Sequence, residues 1–299
     1  MKIGKLFISI HLFVLQVAAY EPAEVMDLWP GVVPGEVAGE IGEETISPPS
    51  SNNGHVLRIK NVSHPTLSFF PADSTKAKDT AILVCPGGAY NILAYEHEGL
   101  DICKWLNDLG VSAFLLKYRV PRRQNREKYE APLQDAQRAM GMIRGNAQKW
   151  KIDPNKIGVL GFSAGGNLAM MAVSSFARRT YPDVDSLDHI SCRPDFGILI
   201  YPAYLVDRND RSRLLPEINI TSQTSPCFFA HTGDDQVPAE GSVLAYLALK
   251  KAGVEGNELH VYPFGGHGYG MRKSKHPVST WPQRAEEWMR ASGWMPNKK

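Results

Sequence analysis

The sequence predicts an α/β protein with a mostly parallel central sheet and helices on both faces. Dense apolar runs such as 80–85 (TAILVC) and 157–162 (IGVLGF) lack the polar alternation of a half-exposed strand, as expected when both faces are covered. These runs alternate along the chain with stretches of helical periodicity, which parallel strands need as crossovers. Two of them end directly in glycine-rich loops, PGG and SAGG, of the kind that joins a strand tightly to the next element.

Residues 1–19, MKIGKLFISIHLFVLQVAA, place Lys2 and Lys5 before an apolar run and the small residues Val17 and Ala19 before a cleavage point. They are expected to be a signal peptide that makes the protein secreted or periplasmic; His11 and Gln16 interrupt the run and leave an amphipathic helix as the alternative. Residues 20–51, which include LWPGVVPG, read as an extended N-terminal arm lying on the domain. The α/β domain is expected over 52–299.

Within it, 55–62 and 66–72 are predicted strands around a Ser-His-Pro turn, followed by the strand at 80–85. Residues 97–109 set Leu100, Ile102, Cys103, Trp105 and Leu106 at helical spacing before Gly110, and 111–118 is the next strand. A helix over 132–150 carries Leu133, Ala136, Ala139, Met140 and Ile143 on one stripe. Strand 157–162, an Ala- and Met-rich helix over 164–176 and strand 196–201 come next. Strand 227–231, helix 238–253 with Pro at its start and Gly at its end, strand 258–262 and a last helix over 281–294 complete the pattern. Residues 205–225 are the least regular interior stretch and read as a surface connector. No large separate lid domain is expected.

Composition narrows the function classes. With 299 residues, 43% of them hydrophobic, the chain can bury a large core, which excludes a disordered tail protein. Lys and Arg number 33 against 31 acidic residues, and without Lys2 and Lys5 the balance is even. That balance supplies no basic footprint for nucleic acid. No segment beyond the leader reaches a membrane-spanning apolar length, so stable membrane insertion after processing is not expected. Cys85, Cys103, Cys192 and Cys227 show no C-x-x-C pairing, and either two bridges or buried free thiols fit their positions.

The chemistry-bearing residues sit at strand ends. Ser163 lies in Gly161-Phe162-Ser163-Ala164-Gly165, between a buried strand and an apolar helix. A serine on so sharp a turn needs neighbours almost without side chains, and this context makes it the nucleophile candidate. Its proton needs a base, and His267, in the glycine-rich loop 264–270 after the last strand, can reach across the strand ends. His231 ends a strand and reads instead as a packed or hydrogen-bonded residue. The acid belongs between serine and histidine in the chain, where Thr232-Gly233-Asp234-Asp235 follows a strand. Asp235 is preferred because it lies further beyond the strand, with Asp234 as the alternative.

Donors for a tetrahedral oxyanion are Ala164 N–H and either Gly88 or Ala89, in the Pro86-Gly87-Gly88-Ala89 loop. Tyr90, Asn91, Tyr201 and Tyr269 flank these loops and are candidate substrate contacts, with the segment 201–204 as an opposite wall. No cofactor or metal is expected, since neither H-E-x-x-H nor an EF-hand pattern occurs.

Together with LWPGVVPG, these stretches form a wider set: CPGGAY, HEG at 97–99, LLKYRVP at 115–121, PLQDAQRA at 132–139, IDPNKIGVLGFSAGG at 152–166, HTGDDQVP, ALKKAGV at 248–254 and FGGHGYG. From Leu28 to Trp294 the chain resembles the α/β-hydrolase family of serine esterases, and more closely its acetyl xylan esterase-like, small carbohydrate-esterase branch. The resemblance implies the α/β-hydrolase fold, with Ser163 as nucleophile, His267 as base and Asp235 as acid. Lipase-like relatives begin the oxyanion loop with His-Gly-Gly-Gly; this chain has Pro-Gly-Gly-Ala. The implied activity is hydrolysis of short acyl esters, acetyl first, on xylan-derived or other carbohydrates, so the partner is a small-molecule or oligosaccharide ester. A serine peptidase or broad-specificity carboxylesterase, and a catalytically silent carbohydrate-binding protein on the same scaffold, are the alternatives.

Overall fold

The apolar runs that end in glycine loops become the centre of the sheet. The computed structural model describes residues 20–47, 56–73, 75–207 and 209–296, so the leader predicted at 1–19 and His55 lie outside the described residues. In chain order the strands are β1 (Glu24–Asp27), β2 (Thr45–Ser47), β3 (Arg58–Lys60), β4 (Thr66–Phe70), β5 (Ala81–Cys85), β6 (Ser112–Lys117), β7 (Ile157–Phe162), β8 (Phe196–Ile200), β9 (Cys227–Thr232) and β10 (Glu258–Tyr262). The helices are α1 (Asp101–Asp108), entered through a turn of π-helix at Glu96–Leu100, α2 (Glu130–Gly145), α3 (Ala164–Ser174), α4 (Glu240–Lys251) and α5 (Trp281–Ala291).

Eight strands form one sheet in the order β1-β4-β6-β5-β7-β8-β9-β10. From β6 to β10 every pairing is parallel, while β4 and β1 add antiparallel at one edge. Successive residues of β5 feed opposite faces. Leu83 and Cys85 pack in a core with α2, α3 and α4, whereas Ile82 and Val84 pack in a second core with α1 and α5. Every residue of β5 and β7 is buried, which accounts for their unbroken apolar sequences. Among the described residues no segment forms a separate lid domain.

The strand order reverses at β5, which lies between β6 and β7. The chain leaving β5 and the chain leaving β7 therefore depart to different sides at adjacent strand ends, the position where open α/β sheets hold their ligands.

Three elements depart from the sequence reading. The arm contributes β1, which pairs with β4. The strand expected over 55–62 reduces to β3, which pairs with β2 in a separate two-stranded sheet. Only Ile59 is buried in β3, and its backbone bonds in both directions to Leu93, at 3.0 and 2.8 Å, below the loop that follows β5. The helix predicted to reach 150 ends at Gly145, with Asn146 capping onto the Met142 carbonyl. All four cysteines are buried free thiols.

Candidate active site

β7 delivers Ser163 into a turn that few side chains tolerate. Ser163 has φ 50° and ψ −114°, and α3 begins at the next residue. The bend holds because a Cβ on Gly165 would lie 2.0 Å from the Cys85 carbonyl oxygen, and one on Gly161 would lie 1.9 Å from that of Gly165. Ser163 N–H donates to Ile200 O at 3.0 Å, and Ser163 O accepts from Asn167 at 3.0 Å and Ala203 at 2.9 Å. These bonds offset a backbone strain of about 1–3 kcal/mol and leave the side chain aimed outward.

The loops after β9 and β10 bring the partners. His267 Nε2 lies 2.9 Å from Ser163 Oγ, and His267 Nδ1 lies 2.8 Å from Asp235 Oδ2. Ionised Asp235 only accepts, so in the neutral imidazole Nδ1 carries the proton and Nε2 is left to accept from the serine hydroxyl. The Asp235 side chain is fully buried. Burial pushes its carboxyl up, but bonds from His231, His267 and the Val237 N–H together hold it below the ordinary carboxylate value. His231 Nε2 stands 3.3 Å from Asp235 Oδ2 while its Nδ1 meets Ser242 Oγ at 2.9 Å, so this buried histidine braces the acid.

The neighbouring carboxylate does different work. Asp234 accepts from Gly266 N–H at 2.8 Å and Gly265 N–H at 3.2 Å. It shapes the loop that carries His267.

After β5 the chain coils through Gly88, Ala89 and Tyr90, all at positive φ. A Cβ on Gly88 would lie 2.0 Å from Ile92 O, so the tight coil requires glycine there. Gly88 and Ala89 line one cleft with Ser163 and His267. The Ala164 N–H opens α3 with no carbonyl one turn earlier to receive it, and the helix N-terminus favours negative charge. The cleft measures about 760 Å³, within the range of small-molecule sites.

Of the four predicted substrate contacts, Asn91 lines the cleft. The three tyrosines are not among its lining residues. Tyr90 is buried and its hydroxyl donates to Asn167 Oδ1 at 2.8 Å. Tyr201 is also buried and donates to Glu98 Oε1 at 2.7 Å, and the Tyr269 hydroxyl donates to Ala230 O at 3.1 Å. Aromatic rings next to strand ends have apolar bodies to bury, and here each hydroxyl finds a partner inside. Of the segment 201–204, expected as a wall, Ala203 and Tyr204 line the cleft. Arg58, His97, Glu98, Arg211 and Gln236 complete the polar lining; His97 and Glu98 fall in the HEG stretch and Gln236 in HTGDDQVP, whereas no motif marks Arg58 or Arg211 in the sequence. Among the described residues no group of three or more His, Cys, Asp or Glu is placed to hold a metal ion.

A strained serine after a central parallel strand, with a hydrogen-bonded histidine and buried carboxylate supplied in the chain order Ser, Asp, His, defines the α/β-hydrolase class. Comparison with known proteins narrows this. The BD-FAE family matches residues 67–198. The chain is 33% identical to the acetyl ester-xyloside bifunctional hydrolase from Caldicellulosiruptor lactoaceticus, whose crystal structure superposes with a TM-score of 0.73 over 93% of this chain and 99% of that one. It is also 29% identical over 214 residues to an acetylxylan esterase of Xylanibacter ruminicola, and 32% identical over 209 residues to endo-1,4-beta-xylanase B of Butyrivibrio fibrisolvens. Each of these two alignments covers 64% of this chain, but only 41% and 32% of the respective relative. The chain belongs to the α/β-hydrolase superfamily of esterases, related to the BD-FAE family and to acetyl xylan esterases.

Proposed function

We propose that this protein is a serine carboxylic ester hydrolase that removes short acyl groups, acetyl first, from xylan-derived or other carbohydrates. The observation that carries the reading is the unbroken line from Ser163 through His267 to Asp235, at 2.9 and 2.8 Å, opening on one cleft. Ser163 Oγ attacks the ester carbonyl as its proton passes to His267 Nε2. The oxyanion is held by Ala164 N–H with Gly88 or Ala89 N–H. Collapse breaks the C–O bond, and His267 returns the proton to the departing alcohol. Water then attacks the acyl-serine, giving its proton to His267, and the serine leaves with that proton as the acid is released.

The polar rim of Asn91, His97, Arg58, Arg211 and Gln236 supports a hydroxyl-rich alcohol over a long alkyl chain. Relatives whose names include an acetylxylan esterase and an acetyl ester-xyloside hydrolase support the same choice. With the leader predicted at 1–19, the site of action is outside the cytoplasm, which N-terminal sequencing of exported protein tests.

The deciding experiment compares acetylated xylo-oligosaccharides, free acetylated sugars, feruloyl esters and p-nitrophenyl esters of rising acyl length. Acetyl esters of sugars are expected to show the highest kcat/KM. Ser163→Ala should lower turnover by about 10⁶-fold. Preference for long acyl or feruloyl groups defeats the acetyl assignment, and turnover that survives in Ser163→Ala defeats the mechanism.

A further inference from the structure

Glu98 is buried, with only 3% of its surface exposed, and ester hydrolysis by the Ser163 triad gives its carboxyl no chemistry. Both of its oxygens are engaged at the site. Oε2 accepts the Gly87 N–H at 2.8 Å, and Oε1 accepts the Tyr201 hydroxyl at 2.7 Å. Tyr201 Oη in turn accepts the Gly270 N–H at 3.0 Å, in the loop that carries His267. The Tyr201 ring also packs on the His267 imidazole, with centroids 4.8 Å apart. Three hydrogen bonds thus run without interruption from the loop bearing the oxyanion donors to the loop bearing the base. There is no slack at the first of them, because a Cβ on Gly87 would lie 2.5 Å from Glu98 Oε2 and 3.0 Å from Ser163 Cβ.

We propose that Glu98 is a positioning residue which, through Tyr201, holds the Gly87–Ala89 loop and the His267 loop in register with each other. Its kinetic consequence rests on the ester-hydrolase reading; its structural consequence does not. Oxyanion donors and base act on the same carbonyl, so an error in their relative placement is felt directly in the transition state, where displacement by about 1 Å costs on the order of 100-fold. A carboxyl buried to satisfy one loop would need one of these bonds. Glu98 makes two, to partners that lead to opposite sides of Ser163.

The test combines kinetics on a short acyl ester with amide hydrogen exchange over 86–92 and 264–271. Glu98→Ala is expected to lower kcat about 10- to 100-fold with KM within about twofold, and to speed exchange in both loops. Glu98→Gln should restore most of that loss, since its amide oxygen accepts from Gly87 and its amide N–H donates to Tyr201 Oη. Tyr201→Phe keeps the ring, and should speed exchange over 264–271 while leaving 86–92 protected. Its kcat loss should not add to that of Glu98→Ala.

The proposal is overturned by unchanged exchange over 264–271 in Tyr201→Phe, by a loss carried in KM alone, or by Glu98→Gln failing as badly as Glu98→Ala. If Glu98→Ala does not fold, Tyr201→Phe decides. If the wild-type protein hydrolyses no ester, the ester reading fails and the exchange measurements still decide this inference.

Discussion

Two adjacent carboxylates, Asp234 and Asp235, show how a single position divides roles at this site. The Asp235 N–H donates to Thr232 O at 3.4 Å, a turn that swings Asp235 inward under His267 while Asp234 faces the Gly265 and Gly266 amides. Asp235→Asn should lower kcat by about 10⁴-fold, because the amide can present an N–H to His267 Nδ1 and favour the wrong tautomer. Asp234→Asn keeps an acceptor for the loop amides and should stay within about tenfold of wild type. A larger kcat loss at Asp234 would reject this division. The same pair bears on acid stability. Asp235 is depressed in the folded state, so its contribution is present above the ordinary carboxylate value near about 3.9 and is lost as pH falls through the lower folded value. Urea titrations of Asp235→Asn should therefore show a shallower loss of stability below about pH 4 than wild type; equal slopes would contradict it. The sequence places both acids at a strand end, and only the turn geometry distinguishes them. The tyrosines were less legible still: a place beside a glycine loop, for Tyr90 and Tyr269, or just after a strand, for Tyr201, sets each near the site but says nothing of which way a ring faces.

At the scale of elements, the elbow between β7 and α3 is the tightest joint of the sheet. Gly165→Ala places a methyl 2.0 Å from the Cys85 backbone oxygen, where no side-chain rotation relieves the clash, so α3 or β5 must shift. We expect a loss of about 1–3 kcal/mol or more in denaturant unfolding, the range of an overpacked core, and a fall in kcat as the Ala164 N–H moves. Wild-type stability together with wild-type kcat would show that the close approach does not constrain the turn. This joint was legible because its residues have few alternatives: a serine between small residues, after a strand buried on both faces. β1 was not. Its sequence EVMD alternates half-buried and exposed residues over only four positions, too short for a period-two pattern to stand out, and its pairing with β4 depends on an edge that exists only in the folded sheet.

At the scale of the whole molecule, the arm completes a core that α2 leaves polar. The sequence stripe of Leu133, Ala136, Ala139, Met140 and Ile143 marks one apolar face of α2. Yet Gln134, Asp135, Gln137 and Arg138 are also buried, because the arm and the chain from Ser175 to Asp188 cover that second face. Trp29 Nε1 donates to Asp135 Oδ1 at 2.9 Å, and the Arg119 side chain, fully buried, pairs with the same carboxylate and donates to Pro34 O at 2.7 Å. Arg138 donates to Leu28 O at 3.1 Å and pairs with Asp185 and Asp188. A helix period reports only the face that is apolar, so this buried polar layer was invisible until the arm was in place. Removing Asp135 leaves the buried Arg119 guanidinium with the Glu36 carboxylate at 3.8 Å in place of its direct partner, which costs up to about 3–5 kcal/mol, a large part of the 5–15 kcal/mol that separates a typical domain from its unfolded state. Trp29→Ala should cost a similar amount, about 3–5 kcal/mol, through lost packing against Tyr181 and the two arginines. Because Trp29 and Asp135 share a hydrogen bond, the double variant should lose less than the two single losses combined. Chemical denaturation of the three variants measures this. Strict additivity, or a loss below about 1 kcal/mol for Asp135→Ala, would mean that the arm lies on the domain without being part of its core.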